Sequence, residues 1–232
     1  MEDRRVLDRR DGALEEHVAR IAAEFLQGFE AVERIGRPGV TIFGSARVGE
    51  DDEVYRLART TGRLFAQAGF AVVTGGGPGV MEAANRGAQE AGGVSVGFNI
   101  ELPHEQRSND YLDIELTFNH LYARKTMLVK AAEGFVLLPG GFGTLDELFE
   151  ALTLIQTGKV LHFPVVLVGR GHWKGLLEWI AERLLGQGMI SVEDEELLFL
   201  TDDPDEAVRI VSECYDLRCA EMPAEPVKAD AQ

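Results

Sequence analysis

The stretch Phe135 to Glu150, FVLLPGGFGTLDELFE, runs from an apolar strand through a turn with three glycines into a helix start that carries a carboxylate one turn in. These residue types in this order predict an anion site with a reactive group beside it. Gly140, Gly141 and Gly143 let the backbone approach a phosphate and reach positive φ, and a helix beginning near Thr144 aims its unpaired N–H groups and positive dipole end at the same place. A phosphorylated ligand is the expectation. A second stretch, Ala71 to Ala88, reads AVVTGGGPGVMEAANRGA and repeats the strand, glycine turn and helix with Gly75, Gly76, Gly77 and Gly79 in the bend. Turns that leave the carboxyl ends of strands in an open parallel sheet converge on one crevice, so both could line a single site. Taken singly, each is also what a tight connection between a strand and a helix requires.

The elements that must hold these turns follow from periodicity. Leu14, Val18, Ile21, Phe25, Phe29 and Val32 recur at steps of three and four, which predicts an amphipathic helix over Leu14 to Ile35, packed outside the sheet or on another subunit. From Gly39 apolar strands alternate with helical patterns. Strands are predicted at 40–44, 71–74, 95–99, 116–118, 135–138, 164–168 and 198–201. The helices between and after them fall near 52–68, 79–91, 120–132, 144–157, 173–187 and 204–218. Strands this continuously apolar are buried on both faces, so the fold class is α/β: a modified Rossmann-like parallel sheet of about six to seven strands flanked by helices on both faces. The organisation expected is a helical extension over 1–38, one nucleotide-binding catalytic domain over 39–219, and a flexible tail over 220–232.

Bulk properties narrow the partners. A chain of 232 residues suffices for one full core, and a formal charge of −16 argues against nucleic acid or an anionic membrane, so any phosphate binding must be local. Cys214 and Cys219, with four residues between them and no neighbouring histidine, suit neither a common zinc spacing nor a disulfide framework. His104 and His120 make no recognisable metal pair, and no metal ligand set is expected. The absence of a signal-like or bilayer-length apolar run sets a cytoplasmic expectation.

Familiar nucleotide motifs do not fit. G-x-G-x-x-G started at Gly75 ends on Val80, and the G-K-[ST] ending of the P-loop is absent. What stands instead is P-G-G-F-G-T-L-D-E at 139–147 with G-G-G-P-G-V-M-E at 75–82, GSAR at 44–47 and ARKTM at 123–127. This set resembles the LOG family of nucleoside-monophosphate phosphoribohydrolases, the cytokinin-activating enzymes long mislabelled as lysine decarboxylases. The family pattern P-G-G-x-G-T-x-x-E is matched at every specified position, and the resemblance runs from about Val40 to Trp179. The segment FNIELPHEQRSND at 98–110 looks like the longer bacterial branch, which leaves the acceptor for the base open.

The resemblance implies hydrolysis of the bond between base and ribose C1′ in (N6-modified) adenosine 5′-monophosphate, with no cofactor and a homodimer or larger assembly built on the helices near 120–132 and 144–157. It assigns Glu147 to the oxocarbenium-like transition state, although Thr144 and Glu147 at a helix start also spell a capping box. Arg124 falls on the family's essential arginine, for orientation and electrostatic stabilisation, with Lys125 as a secondary contact. The phosphate would lie on the amides of Gly140, Gly141, Phe142, Gly143 and Thr144, with Gly75 to Gly79 as the neighbouring wall. Ser45 would contact the nucleotide or serve as a turn residue, Arg47 would attract the anion or lie on the surface, and Glu105 is placed only by its distance before Arg124. Two other readings stay open: a carrier of a phosphorylated ligand such as molybdenum cofactor, and, ranked last, a pyridoxal-dependent decarboxylase, for which none of Lys125, Lys130 and Lys159 stands out.

Overall fold

A computed structural model describes residues 14–101, 107–160, 163–195 and 197–221. Strands β1 (Gly39–Phe43), β2 (Ala71–Thr74), β3 (Ser95–Ile100), β4 (Ile114–Phe118), β5 (Phe135–Leu137), β6 (Val165–Val168) and β7 (Leu198–Thr201) form one seven-stranded sheet in the order β4-β3-β2-β1-β5-β6-β7. Every neighbouring pair is parallel. Each strand residue contributes to one face or the other. Phe43, Val73, Phe135, Val165 and Leu167 join a core with Ala123, Met127, Leu148 and Trp173. Val40, Ile42, Val72, Val136, Val166 and Val168 join a second core with Tyr55, Phe65, Ala84 and Val211. Alternation with both faces apolar is why these strands read as unbroken hydrophobic runs.

The helices divide accordingly. α2 (Glu53–Gln67), α3 (Val80–Glu90) and α8 (Pro204–Glu221) cover one face; α1 (Leu14–Ile35), α4 (Leu121–Lys130), α5 (Phe142–Gln156) and α6 (Arg170–Trp179) cover the other. The chain steps outward from β1 to β4, and α4 then carries it back so that β5 pairs with β1. The order reverses between β1 and β5, the point in an open α/β sheet where ligands bind outside the strand ends.

Several boundaries differ from expectation. α5 begins at Phe142, with Gly141 as its N-cap, rather than near Thr144. α6 begins at Arg170 because Gly169, at φ 103°, turns the chain in the left-handed region, and it widens into a π-helical stretch over Ile180–Leu185 instead of continuing as α-helix. A short α7 (Val192–Glu195), capped where Asp194 Oδ2 accepts from the Ser191 N–H at 2.8 Å, was not expected. α1 has its expected bounds, but its most buried positions are Glu24, Gly28, Ala31 and Ile35, and Leu14, Val18 and Phe29 of the apolar stripe stay exposed. The expected tail begins one residue before α8 ends, and 222–232 lie outside the described residues. Among the described residues no helix is long and apolar enough to cross a membrane.

Candidate active site at the sheet switch point

Ser45, just past β1, stitches the two glycine turns together. Its N–H donates to Pro139 C=O at 3.0 Å on the second turn, and its C=O accepts from Val80 N–H at 2.9 Å at the start of α3 on the first. Its hydroxyl accepts from the Arg47 N–H at 3.1 Å, a local turn bond, and Arg47 itself is exposed. The two turns therefore lie side by side at the carboxyl end of the sheet, where ligands bind in open α/β folds.

The turns solve their geometry differently. Gly76 and Gly79 both have φ 70°, whereas Gly140, Gly141 and Gly143 do not lie at positive φ. The expectation of left-handed backbone thus applies to the first turn and fails for the second, where α5 starts directly from an extended Gly141. Gly140 is needed for another reason: a Cβ there would collide with the Thr144 hydroxyl. Around Gly141 and Gly143 a Cβ would meet nothing within 4 Å, so that side of the turn is open. Leu145 N–H makes the first backbone bond of α5, to Gly141 C=O at 3.0 Å, so the amides of Gly141, Phe142, Gly143 and Thr144 are those a helix leaves unsatisfied. Phe142 is 92% exposed at this tip. The Gly140 amide already points at His172 Nε2, 3.4 Å away on α6.

The first turn rests on a buried polar network that sequence reading passed over. Thr74 donates its hydroxyl to Asn85 Oδ1 at 2.6 Å and accepts the Gly76 N–H at 2.9 Å. Asn85 Nδ2 donates to Ser95 Oγ and to Val96 C=O, while Asn109 Nδ2 donates to Asn85 Oδ1 and to Gly77 C=O. Gly76 packs directly on the Asn99 side chain. One signal was available: Asn85 sits among Val80, Ala83, Ala84, Gly87 and Ala88, on the apolar face of α3.

Arg124 and Lys125 leave α4 in different directions. The Arg124 Nε–H donates to Phe98 C=O at 2.7 Å, and its guanidinium lies against Gly75, where any Cβ would overlap Nη2. Burial pulls the Arg124 pKa down and the Glu147 carboxylate offsets part of that; a guanidinium starts so high that it stays protonated. Lys125 instead reaches α5, with Nζ 2.9 Å from both Asp146 Oδ2 and Glu150 Oε2. It clamps α4 to α5, so its ammonium is already paired with two carboxylates in this structure.

Glu147 lies on the buried side of α5, only 6% exposed, and its Oε2 has no hydrogen-bond partner. Burial pushes its pKa up to about 7, with Glu150 and Asp146 adding to the rise and Lys125 and Arg124 opposing it. The capping-box alternative does not hold: Thr144 is the third residue inside the helix, and no side chain caps Gly141. Glu105 and His104 lie outside the described residues. Cys214 is free and half-buried, and among the described residues no group of three or more His, Cys, Asp or Glu is placed to hold a metal.

The fold defines a Rossmann-like α/β protein with two glycine turns at the sheet switch point and, near them, a half-buried arginine and a buried glutamate. The family model described as "Possible lysine decarboxylase" matches residues 81–211. The cytokinin riboside 5′-monophosphate phosphoribohydrolases of Mycobacterium marinum and Mycobacterium tuberculosis are each 33% identical to it, over 68% of this chain and 84% of theirs. The chain belongs to the LOG family. Among solved structures it is similar to the Moco carrier protein from Chlamydomonas reinhardtii, with 25% identity, a TM-score of 0.57, and coverage of 78% of this chain and 99% of that one.

Proposed function

We propose that this protein hydrolyses the N-glycosidic bond of adenosine 5′-monophosphate or an N6-modified form of it, releasing free base and ribose 5-phosphate. The observation that carries the reading is the buried Glu147 carboxylate, with an unpartnered oxygen, beside the Arg124 guanidinium at the switch point. Leaving such a group unsatisfied costs stability unless a ligand completes it. The phosphate sits on the amides of Gly141 to Thr144 and the α5 dipole, with the first glycine turn as the opposite wall. As the base departs, ribose C1′ gains positive charge; ionised Glu147 stabilises it or takes a proton from the attacking water, and Arg124 holds the sugar-phosphate in line.

A carrier role is the second reading, favoured by the likeness to the Moco carrier protein. It gives Glu147 no chemical task, because holding a phosphorylated ligand does not require a buried, unpartnered carboxylate next to it. Schiff-base chemistry at Lys125 is disfavoured: burial lowers its pKa, but Asp146 and Glu150 outweigh that and raise it, the opposite of what a nucleophilic lysine needs. Chromatography of AMP and of N6-isopentenyl-AMP incubated with the protein tests the proposal. Free base is expected from at least one of them, whereas intact nucleotide recovered bound to the protein moves the assignment to a carrier.

The same family likeness supports a homodimer. Leu121 and Tyr122 on α4 and Phe142 and Phe149 on α5 are exposed side by side in sequence with the site residues, and pairing these helices would cover them. Sedimentation equilibrium at micromolar concentration is expected to give twice the chain mass; a monomer throughout counts against the pairing.

A further inference from the structure

α1 carries a carboxylate on the face it buries. Glu24 is 9% exposed and reaches the link between β4 and α4. Its Oε1 accepts from the Asn119 backbone N–H at 3.1 Å and from the Asn119 side-chain amide at 2.8 Å. Its Oε2 accepts from the His120 backbone N–H at 3.2 Å and lies 3.1 Å from His120 Nδ1. Burial alone would raise the Glu24 pKa, but the bonds from Asn119 and His120 outweigh it and hold the carboxyl below its usual range. His120 is the N-cap of α4 and its own side chain makes no capping bond. The anion that a helix N-terminus attracts is therefore supplied from another helix.

One turn further along α1, Gly28 lets the helices come so close that a Cβ there would lie 2.7 Å from Met127 Cγ. α1 thus grips α4 at two levels. Between them sits Arg124, whose N–H donates to His120 C=O at 3.2 Å. The guanidinium one turn above the Glu24 clamp has little room for error, since its Nε–H must meet Phe98 C=O while Nη2 abuts Gly75.

We propose that Glu24 is a positioning residue for Arg124: by binding the Asn119–His120 backbone, α1 fixes the axis of α4 and so sets the guanidinium in the crevice. This rests on the assignment of Arg124 to the nucleotide site.

The test combines kinetics with a signal that needs no turnover. Glu24→Gln keeps the volume and one acceptor but turns an N–H₂ toward the His120 N–H. With AMP as substrate, kcat is expected to fall about tenfold while KM changes by less than about twofold, because the phosphate turn on α5 is untouched. In an Arg124→Lys background the same substitution is expected to lower kcat no further; an additive loss overturns the proposal. In ligand-free protein the Arg124 Nε–H resonance, identified by its absence in Arg124→Lys, is expected to shift and exchange faster in Glu24→Gln. An unchanged resonance overturns the inference whether or not the chain hydrolyses AMP. A resonance that shifts in Glu24→Gln while the native chain shows no turnover sinks the hydrolase reading alone. If Glu24→Gln does not fold, Glu24→Asp, which keeps the charge but shortens the reach, is read by the same criteria.

Discussion

Glu147→Gln is expected to abolish base release, by about 10³-fold in kcat/KM, and at the same time to stabilise the protein. The two effects share one cause. The Glu147 pKa stands at about 7 against an ordinary 4.5, so the folded protein resists ionising it. Between those values the unfolded chain has released the proton and the folded chain has kept it. Stability therefore falls as pH rises through that window, and the whole penalty, about 3 kcal/mol, is present above it. A neutral amide of the same shape escapes most of this. At pH 8 the variant should gain about 2 kcal/mol, a rise in Tm on the order of 4–8 °C. At pH 4.5 the gain should vanish, because the native carboxyl is then protonated as well. Calorimetry at both pH values checks the sign; equal Tm shifts at pH 8 and pH 4.5 would remove ionisation as the cause. The native kcat/KM should also rise with pH through about 7, as the working carboxylate forms, and the residual activity of the variant should lack that limb.

Gly75→Ala is expected to cost nearly as much activity as Arg124→Ala, about 10²–10³-fold each. Gly75 does not lie at positive φ, so alanine meets no backbone strain there. The loss comes from overlap: the new methyl would occupy the place of Arg124 Nη2 and sit 2.8 Å from Met81 Sδ. A guanidinium pushed off that surface loses its alignment with Phe98 C=O and with the ligand. The double variant should be no worse than Arg124→Ala alone, because each change removes the same interaction. Base-release kinetics of the single and double variants decide it, and multiplicative losses would mean that Gly75 acts by another route. Gly76→Ala is a useful contrast. Gly76 has φ 70° and presses on Asn99, so its replacement should lower Tm through strain as well as activity.

Much of the site was legible because it is local. A strand that ends in a glycine turn and opens a helix is written within about a dozen residues, and the turns at 75–79 and 140–144 were found on that basis. The helix start was misplaced because glycine-rich segments carry little periodicity: α5 takes in Phe142 and Gly143, and this is what separates Glu147 from a capping role. The positive φ expected of Gly140, Gly141 and Gly143 belongs to Gly76 and Gly79, since the first turn must fold back over Ser45 and Ala46 while the second runs straight into its helix. The polar network through Thr74, Asn85 and Asn109 joins residues distant in sequence and left only one trace, an asparagine on an apolar helix face.

By itself the sequence determined the alternation of apolar strands and amphipathic helices, the parallel α/β class and the glycine turns, because hydrophobic period and glycine stereochemistry are properties of neighbouring residues. The tertiary structure alone decided which of two adjacent cations lies on the first glycine turn and which pairs with α5, how far Glu147 is buried, and that α1 reaches across to grip the start of α4. Those outcomes depend on desolvation and on charges brought together by the crossover from β4 to β5, and neither exists until the sheet has closed around them.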